Sequence, residues 1–313
     1  MMREQSFVHR ASDGASIQVH RWLPDRNPKA VLLVAHGMAE HGARYGRLAS
    51  SATDQGWAVY APDHRGHGGT AAGGELGFLG DRDGFARVVE DLHEIAGFAS
   101  AEQPRLPLAL LGHSMGSILA ELYAARHGEE LLCCALSGVV APAPPFLHRV
   151  AVLLAGLGCL FKGSRARAPL LAALSFGANN KAFQPSRTAF DWLSRDRAEV
   201  DLYVEDPKCG FVCSVGLYRD LLGALSALYA GGGLVEKIPA ALPVYIMAGS
   251  EDPVGGAKGF AGMLEDRMRA AGLRDVETRL YPGARHEILN ETNRDEVTAD
   301  LLAWLGRKLG GRG

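Results

Sequence analysis

The amino-acid sequence predicts an α/β protein: a mostly parallel central sheet with helices on both faces, interrupted by one helical insertion. Two observations carry this prediction. First, short and continuously apolar segments, typical of strands buried on both faces, alternate with longer segments whose apolar residues recur at helical spacing. Second, the alternation stops near residue 139 and resumes near residue 242. We therefore assign residues 1–138 and 231–313 to the sheet core and residues 139–230 to a helical cap.

The chain opens with a hairpin and a strand–helix–strand unit. Residues 5–23 alternate between apolar and polar side chains around a turn near Gly14, a pattern typical of an antiparallel hairpin at a sheet edge. A continuously apolar run at 30–35 predicts a fully buried strand. A helix over 44–55 and a second buried strand over 57–60 come next.

The same periodicities predict the rest of the core. Right-handed crossovers between parallel strands bring the loop after each strand to the same edge of the sheet. The predicted elements are a helix at 84–102, a strand at 106–111, a helix from about 115 to a stop at Gly128, strands at 131–136 and 242–249, a helix at 256–271, a strand at 276–281 and a helix at 293–309.

The predicted cap begins with closely spaced prolines and contains one long apolar helix at about 144–161. This stretch invites a transmembrane interpretation, but it contains His148 and Arg149 and is too short without them to span a bilayer comfortably. We therefore expect a buried helix or a lid helix. Because no segment of the cap has the pattern of a strand, we expect helices that cover the carboxyl ends of the core strands.

The composition is that of an ordinary soluble protein. Hydrophobic residues make up 47% and charged residues 22% of the 313-residue chain, and its net charge of −2 gives no global field that attracts nucleic acid or an anionic membrane. The N-terminus lacks the apolar core of a signal peptide. Scattered cysteines in odd number indicate reduced thiols in a cytoplasmic protein. They are Cys133, Cys134, Cys159, Cys209 and Cys213.

A strand-to-helix turn in the core carries the first candidate catalytic residue. Gly112-His113-Ser114-Met115-Gly116 lies between the apolar run 106–111 and a helical pattern. Gly-x-Ser-x-Gly in this position is a nucleophile elbow, whose serine has strained backbone geometry and whose glycines let the strand and the helix pass closely. We therefore predict Ser114 as a nucleophile at the carboxyl end of its strand.

A serine hydroxyl needs a base, normally a histidine that a carboxylate orients. Asp252 follows the strand at 242–249, and His286 follows the strand at 276–281. Alone, a loop aspartate is usually a turn former and a single histidine is usually a packed or surface residue. Together with the elbow, in the chain order serine, aspartate, histidine, they predict the catalytic triad Ser114, Asp252 and His286.

Acyl transfer also needs two N–H groups that bind the oxyanion of the intermediate. One is predicted to be the backbone amide of Met115, the residue after the nucleophile. The other is predicted to be the amide of Met38, in the loop that follows the strand at 30–35. This chemistry requires neither a cofactor nor a metal ion.

The loop Asp63-His64-Arg65-Gly66-His67-Gly68 invites a metal-site interpretation. Aspartate and histidine packed so closely on a tight loop seldom converge on one ion, and no other cluster of potential ligands assists them. We therefore predict a hydrogen-bonded structural loop that shapes the edge of the sheet.

Four motifs of the core are His36-Gly37-Met38-Ala39-Glu40-His41, Asp63 to Gly68, Gly112 to Gly116 and Pro282-Gly283-Ala284-Arg285-His286-Glu287. Together they resemble the monoacylglycerol lipase and lysophospholipase branch of the α/β-hydrolases, the serine aminopeptidase S33-like hydrolases. Two cap segments, 188–196 and 206–211, resemble bacterial members of that branch. The resemblance implies the same triad and oxyanion hole, and it also implies that Glu40 and Arg44 lie near the mouth of the pocket, in contact with substrate.

The expected function is a serine ester hydrolase that acts on single-chain lipid esters, monoacylglycerol first. A lysophospholipase or a general carboxylesterase with the same triad is the alternative, as is a haloperoxidase-like or peptidase activity on the same scaffold. From another class, a non-catalytic ligand-binding protein remains open. The apolar cap helix suits an acyl chain and predicts transient contact with a membrane surface, at the periphery of the membrane. The oligomeric state stays open.

Overall fold

A computed structural model describes residues 2–71, 75–229, 233–255 and 259–311. Within them, one eight-stranded sheet has the strand order β1-β2-β4-β3-β5-β6-β7-β8. The first two pairs in this order, β1 with β2 and β2 with β4, are antiparallel, and the other five pairs are parallel. The strands are β1 (Arg3–Arg10), β2 (Ser16–Leu23), β3 (Ala30–Ala35), β4 (Trp57–Pro62), β5 (Leu108–His113), β6 (Leu131–Ser137), β7 (Val244–Gly249) and β8 (Val276–Tyr281).

Helices connect the strands and cover the sheet. The predicted alternation of strands and helices, and the hairpin at the sheet edge, are confirmed. The start of the helix predicted at 256–271 falls on residues 256–258, which lie outside the described residues. The helices are α1 (Gly46–Asp54), α2 (Gly84–Glu102), α3 (Met115–His127), α4 (Pro145–Lys162), α5 (Pro169–Ala172), α6 (Arg197–Glu205), α7 (Val215–Tyr229), α8 (Phe260–Ala270) and α9 (Arg294–Gly310).

Two predicted strands begin two residues later than the sequence pattern indicated. The runs at 106–111 and 242–249 each have proline at their second position, and β5 and β7 start directly after Pro107 and Pro243. Proline has no N–H to donate to a ladder, so regular pairing begins only after it. The helix predicted at 44–55 is likewise shorter, because its first turn is a 3₁₀ helix over Gly42–Tyr45.

Two apolar cores lie on the two faces of the sheet. Alternate residues of β3 divide between them: Val31 and Leu33 belong to one core, and Leu32 and Val34 to the other. This follows from the two-residue period of a strand, which sends successive side chains to opposite faces. Helices α2, α3, α7 and α8 pack on the first face, and α1 and α9 on the second. The predicted α/β fold with both faces covered is therefore confirmed.

The segment predicted as a cap contains α4 to α7 and, in its described residues, one isolated bridge between Arg167 and Ser214 in place of a strand. Its final helix α7 does not stand apart, because Leu217, Leu225 and Leu228 are part of the first core. The division of the chain into core and cap stays a prediction, and its second boundary at 230–231 falls outside the described residues.

Helix α4 is the most exposed apolar element of this segment. By length and composition alone it could cross a membrane, but one such helix is weak evidence of a membrane span. Its one buried side chain is Ala155, while Phe146 and Phe161 are 76% and 78% exposed. The expectation of a buried helix is therefore wrong, because α4 packs along α7 on one side and faces solvent on the other. The expectation of a lid stays a prediction.

Candidate active site

Ser114 occupies a strained turn between β5 and α3. Its φ of 53° and ψ of −117° lie outside the regions that non-glycine residues favour. The flanking glycines permit close approach: a Cβ on Gly116 would lie 1.9 Å from the carbonyl oxygen of Ala35, and one on Gly112 would lie 2.2 Å from the carbonyl oxygen of Gly116. The predicted elbow geometry is thus present, and its two glycines are required by packing against β3 and α3.

The loops after three strands bring Ser114, His286 and Asp252 together. The His286 Nε2 lies 2.9 Å from Ser114 Oγ, and His286 Nδ1 lies 3.0 Å from both carboxylate oxygens of Asp252. Because a carboxylate only accepts hydrogen bonds, Nδ1 carries the hydrogen and Nε2 keeps its lone pair toward the serine hydroxyl. This tautomer is the one in which an imidazole can take a proton from serine.

Burial and charge act in opposite directions on His286. The side chain is 2% exposed and Asp252 is fully buried. Burial disfavours the imidazolium, but the charge of Asp252 and its hydrogen bond outweigh burial, so the pKa of His286 is raised above its usual 6.5. An imidazole in this environment is a stronger base than one in water, which suits proton transfer from a hydroxyl.

The predicted oxyanion donors flank Ser114. Met115 is the first residue of α3, and an amide at that position has no carbonyl acceptor within its own helix. Gly37, next to Met38, lies so close to Ser114 that a Cβ placed on it would be 3.4 Å from Ser114 Cβ. The loop that carries Met38 therefore reaches the serine, while the oxyanion role of the two amides stays a prediction.

Glu40 and Arg44 lie in a buried ion-pair network beside this loop. Glu40 accepts a hydrogen bond from the Gly37 amide at 2.5 Å, and Arg44 donates to Glu40 at 2.6 Å. Arg44 also makes a two-point contact with Glu287, the neighbour of His286, at 2.7 Å for both bonds. Burial alone would raise the pKa of Glu287, but the guanidinium of Arg44 lowers it to about 2. The network thus ties the loop of Met38 to the loop of His286.

A small cavity adjoins this network, and Glu40 and Arg44 are among its lining residues. Their predicted contact with substrate stays a prediction. Both side chains already hydrogen-bond within the protein, Glu40 to the Gly37 amide and Arg44 to Glu40. The guanidinium of Arg44 also lies 4.9 Å from the ring of Tyr203. The other lining residues are Tyr45, Arg47, Leu48, His113, Glu287, Leu289 and Asn290.

The loop at 63–68 is held by hydrogen bonds. The Asp63 carboxylate accepts from the amides of Gly42 and Gly69, both at 2.7 Å. The His64 amide donates to His36 Nε2 at 2.9 Å, and burial lowers the pKa of His64 to about 3. A buried imidazole with this pKa is neutral and serves as a packing and hydrogen-bonding group, as the sequence led us to expect of a structural loop.

Sequence analysis missed the role of Trp192 and Leu193. The Trp192 ring packs 5.0 Å from the imidazole of His286, and the His286 amide donates to the Trp192 carbonyl at 3.4 Å. The Glu287 amide donates to the Leu193 carbonyl at 2.7 Å. These residues of the predicted cap therefore hold the histidine loop directly. The segment 188–196 had drawn attention only through its resemblance, because nothing local in it signals a partner more than 90 residues away.

A mostly parallel sheet with a serine at a strained strand-to-helix turn, in hydrogen-bond contact with a histidine that follows the last strand, defines the α/β-hydrolase class. The sequence profile of the family described as serine aminopeptidase S33 matches residues 26–293. The chain belongs to this family of hydrolases.

Known relatives match along nearly the whole chain. A monoacylglycerol lipase of Mycolicibacterium smegmatis is 33% identical over 96% of this chain and 96% of its own length. A monoglyceride lipase of Mus musculus is 30% identical over 96% of this chain and 90% of its own. Among solved structures, a thermostable carboxyl esterase from Bacillus coagulans in complex with glycerol superposes with a TM-score of 0.89 at 28% identity, covering 98% of this chain and 99% of that one.

Proposed function

We propose that this protein is a monoacylglycerol lipase that uses Ser114, His286 and Asp252 as its catalytic triad. The observation that carries the proposal is the continuous hydrogen-bonded chain from Ser114 Oγ through His286 to Asp252. Two relatives that match nearly the full length of the chain, at 33% and 30% identity, are a monoacylglycerol lipase and a monoglyceride lipase.

In the first step, Ser114 Oγ forms a bond to the ester carbonyl carbon while its proton passes to His286 Nε2. The carbonyl oxygen becomes an oxyanion, which the amides of Met38 and Met115 bind. Asp252 holds the imidazole in its orientation and stabilises the imidazolium that forms. The strained backbone of Ser114 holds its hydroxyl at the carboxyl end of β5, in contact with His286, before substrate arrives.

The tetrahedral intermediate then collapses. The bond between the carbonyl carbon and the alcohol oxygen breaks, and the leaving alcohol takes the proton from His286, which leaves an acyl group on Ser114. A water molecule repeats the sequence: it gives its proton to His286, attacks the acyl carbon and releases the fatty acid as Ser114 regains its hydrogen. Both steps use only the triad, the two oxyanion amides and water.

The lipid substrate is supported by the exposed apolar surface of α4 as well as by the named relatives. Nine of its large apolar side chains are 38–78% exposed. Each methylene that such a surface removes from water stabilises a bound acyl chain by about 0.8 kcal/mol. A general carboxylesterase is the second candidate, because the carboxyl esterase in complex with glycerol is 28% identical with a TM-score of 0.89.

We also propose that α4 touches the membrane surface where single-chain lipids reside. An exposed apolar helix lies in the interface of a bilayer without needing to cross it. Arg149 and Lys162 on the same helix suit the headgroup region. In this proposal the protein is cytoplasmic and peripheral to the membrane.

The triad is tested by labelling the protein with a fluorophosphonate, which reacts with an activated serine. The wild type is expected to be labelled and Ser114→Ala is not. Ser117→Ala is the matched control. Ser117 lies three residues away, and its Oγ donates to the backbone carbonyl of Ser114 and not to the Ser114 hydroxyl. We therefore expect this variant to be labelled like the wild type. An unlabelled wild type would favour a non-catalytic ligand-binding protein on this fold.

The substrate is tested with a panel of esters that varies acyl length and head group independently. For a monoacylglycerol lipase, kcat/KM increases with acyl length and is highest for glycerol as the alcohol. Equal rates on short activated esters and on lipids would favour a general carboxylesterase. A preference for a phosphate-bearing head group would favour a lysophospholipase.

A further inference from the structure

Helices α2 and α3 carry an unexplained cluster of histidine and glutamate far from the triad. Glu90 and His93 lie one turn apart on α2. His127 ends α3, and Glu130 follows in the 3₁₀ turn Gly128–Glu130. Each imidazole faces a glutamate from across the cluster: His93 Nδ1 lies 3.3 Å from an oxygen of Glu130 in the turn, and His127 Nε2 lies 3.7 Å from an oxygen of Glu90 on α2.

The two imidazole nitrogens are not satisfied by these contacts. Both His93 Nδ1 and His127 Nε2 are inaccessible to solvent and have no hydrogen-bond partner in the described part of the chain. The hydroxyl of Tyr123, whose ring lies 5.2 Å from that of His127, is in the same state. Buried polar atoms without partners are costly, so their convergence at one place needs an explanation.

The rings of His93 and His127 are stacked, with centroids 3.9 Å apart and planes inclined by 9°. Two protonated imidazoles at this separation would repel each other strongly. Two neutral imidazoles and a carboxylate are instead the donor set that divalent zinc prefers. The nitrogens of His93 and His127 and a Glu130 oxygen all lie within 4.8 Å of one another.

We propose that His93, His127 and Glu130 bind a divalent transition-metal ion of the zinc type, with Glu90 as a further ligand. Bonds of about 2.0–2.2 Å to one ion require the donors to approach one another by about 1 Å. Each nitrogen lone pair lies in its ring plane, so one of the two stacked rings must also turn out of the stack to share the ion. His93 is the ring assigned this rotation, because its side chain is 35% exposed. Arg126 contacts Glu90 at 3.4 Å, and no arginine of the described residues pairs with the other three donors. The ion joins the end of α3 to α2.

The proposed ion has a structural role and not a catalytic one. Helix α3 has 13 residues, so its two ends are about 20 Å apart, with Ser114 at one end and His127 at the other. Two other groups of potential ligands among the described residues carry no such inference, because each contains donors that already bind protein. The Asp63 carboxylate accepts two amides, and His41 contacts Asp206 at 2.8 Å.

The test is zinc titration of the full chain, without an affinity tag and stripped of metal, followed by calorimetry and by thermal unfolding. The variants are His93→Ala and His127→Ala. The control is His9→Ala, because His9 faces a glutamate, Glu94, at 3.5 Å and is not part of the cluster. Magnesium serves as the control ion, since it prefers oxygen ligands.

We expect the wild type and His9→Ala to bind one more zinc ion than either cluster variant, or to bind it at least about tenfold more tightly. Zinc raises the Tm of the wild type and not of the cluster variants, because only the folded state holds the site. Zinc binding weakens at acidic pH, since protons compete for the imidazoles. Ester hydrolysis by the cluster variants equals that of the wild type.

Equal zinc stoichiometry and affinity in the wild type and both cluster variants would overturn the proposal. So would a Tm that zinc raises equally in all of them. Cobalt in place of zinc gives an independent signature, because a protein-bound cobalt ion with nitrogen ligands absorbs visible light, and this absorption is expected to disappear in His127→Ala. None of these results depends on the identity of the ester substrate.

Discussion

The proposed triad and helix α4 lie in opposite environments, one buried and the other exposed to solvent. His286 and Asp252 are almost fully buried, and each polar atom that orients them has a defined partner. Helix α4 exposes Phe161, Leu160 and most of its other large apolar side chains, and nothing in the described chain covers them. The proposed chemistry therefore depends on geometry that burial enforces. In the proposed function, access of a lipid depends instead on apolar area left in contact with water.

The largest effect is expected where the hydrogen-bonded chain is cut without changing its shape. Asp252→Asn replaces an acceptor by a group that can donate to His286, which favours the tautomer unable to take the serine proton. We expect kcat to fall by about 10⁴-fold with little change in KM. The measurement is steady-state hydrolysis of a soluble short-chain ester. A decrease below tenfold would argue against Asp252 as the triad acid.

The buried ion pairs beside the triad are expected to dominate local stability. Arg44→Met leaves Glu40 and Glu287 buried without their cation, and we expect the free energy of unfolding to fall by about 3–5 kcal/mol. Urea unfolding at neutral pH measures it. The control is Arg47→Met, because the Arg47 side chain is 47% exposed in its pair with Glu199, and its loss is expected to cost about 0–1 kcal/mol.

The same network predicts how acid affects stability. The pKa of Glu287 is lowered from 4.5 to about 2 in the folded protein. A depressed carboxyl pKa stabilises the fold above the unfolded value and loses that contribution as the pH falls toward the folded value. The wild type is therefore expected to lose stability between about pH 4.5 and pH 2. Arg44→Met should show a shallower loss over this interval, and an equal slope would contradict this role of Arg44.

Helix α4 is expected to show a smaller effect, confined to lipid surfaces. Replacing Leu160 and Phe161 by serine removes two side chains that are 75% and 78% exposed, and we expect binding to zwitterionic vesicles to weaken by about tenfold or more. Sedimentation with vesicles measures it. Hydrolysis of a soluble short-chain ester stays unchanged. Leu202→Ser on α6, where Leu202 is 59% exposed, is the matched control and is expected to bind like the wild type.

The smallest effect is a displacement of the pH profile. The base must be neutral, so kcat/KM is expected to rise with pH through the pKa of His286, which lies above 6.5. NMR titration of the His286 imidazole reports this pKa directly. In Asp252→Asn the charge that raises it is absent, so the pKa is expected to fall. An unchanged pKa would mean that Asp252 acts on orientation alone.

Much of the core and the candidate site was predictable from local pattern. The bounds of β3 and β8 match the predicted strands at 30–35 and 276–281, and Ser114, Asp252 and His286 were each identified by their position after a strand. Errors at the start of β5 and β7 came from prolines whose effect on pairing is local, and they amount to two residues each. The expectation of a buried α4 failed because hydropathy does not tell whether a neighbour covers a helix.

The sequence alone determined the order of strands and helices, the strained turn at Ser114 and the residue types that meet there, because periodicity and turn chemistry act over a few neighbours. Only the tertiary structure decided the partners of those residues. Trp192 packs on His286, Arg44 joins Glu40 to Glu287, and His93 meets His127, across separations of 94, 243 and 34 residues. Such contacts depend on how whole elements pack, and no local pattern encodes them.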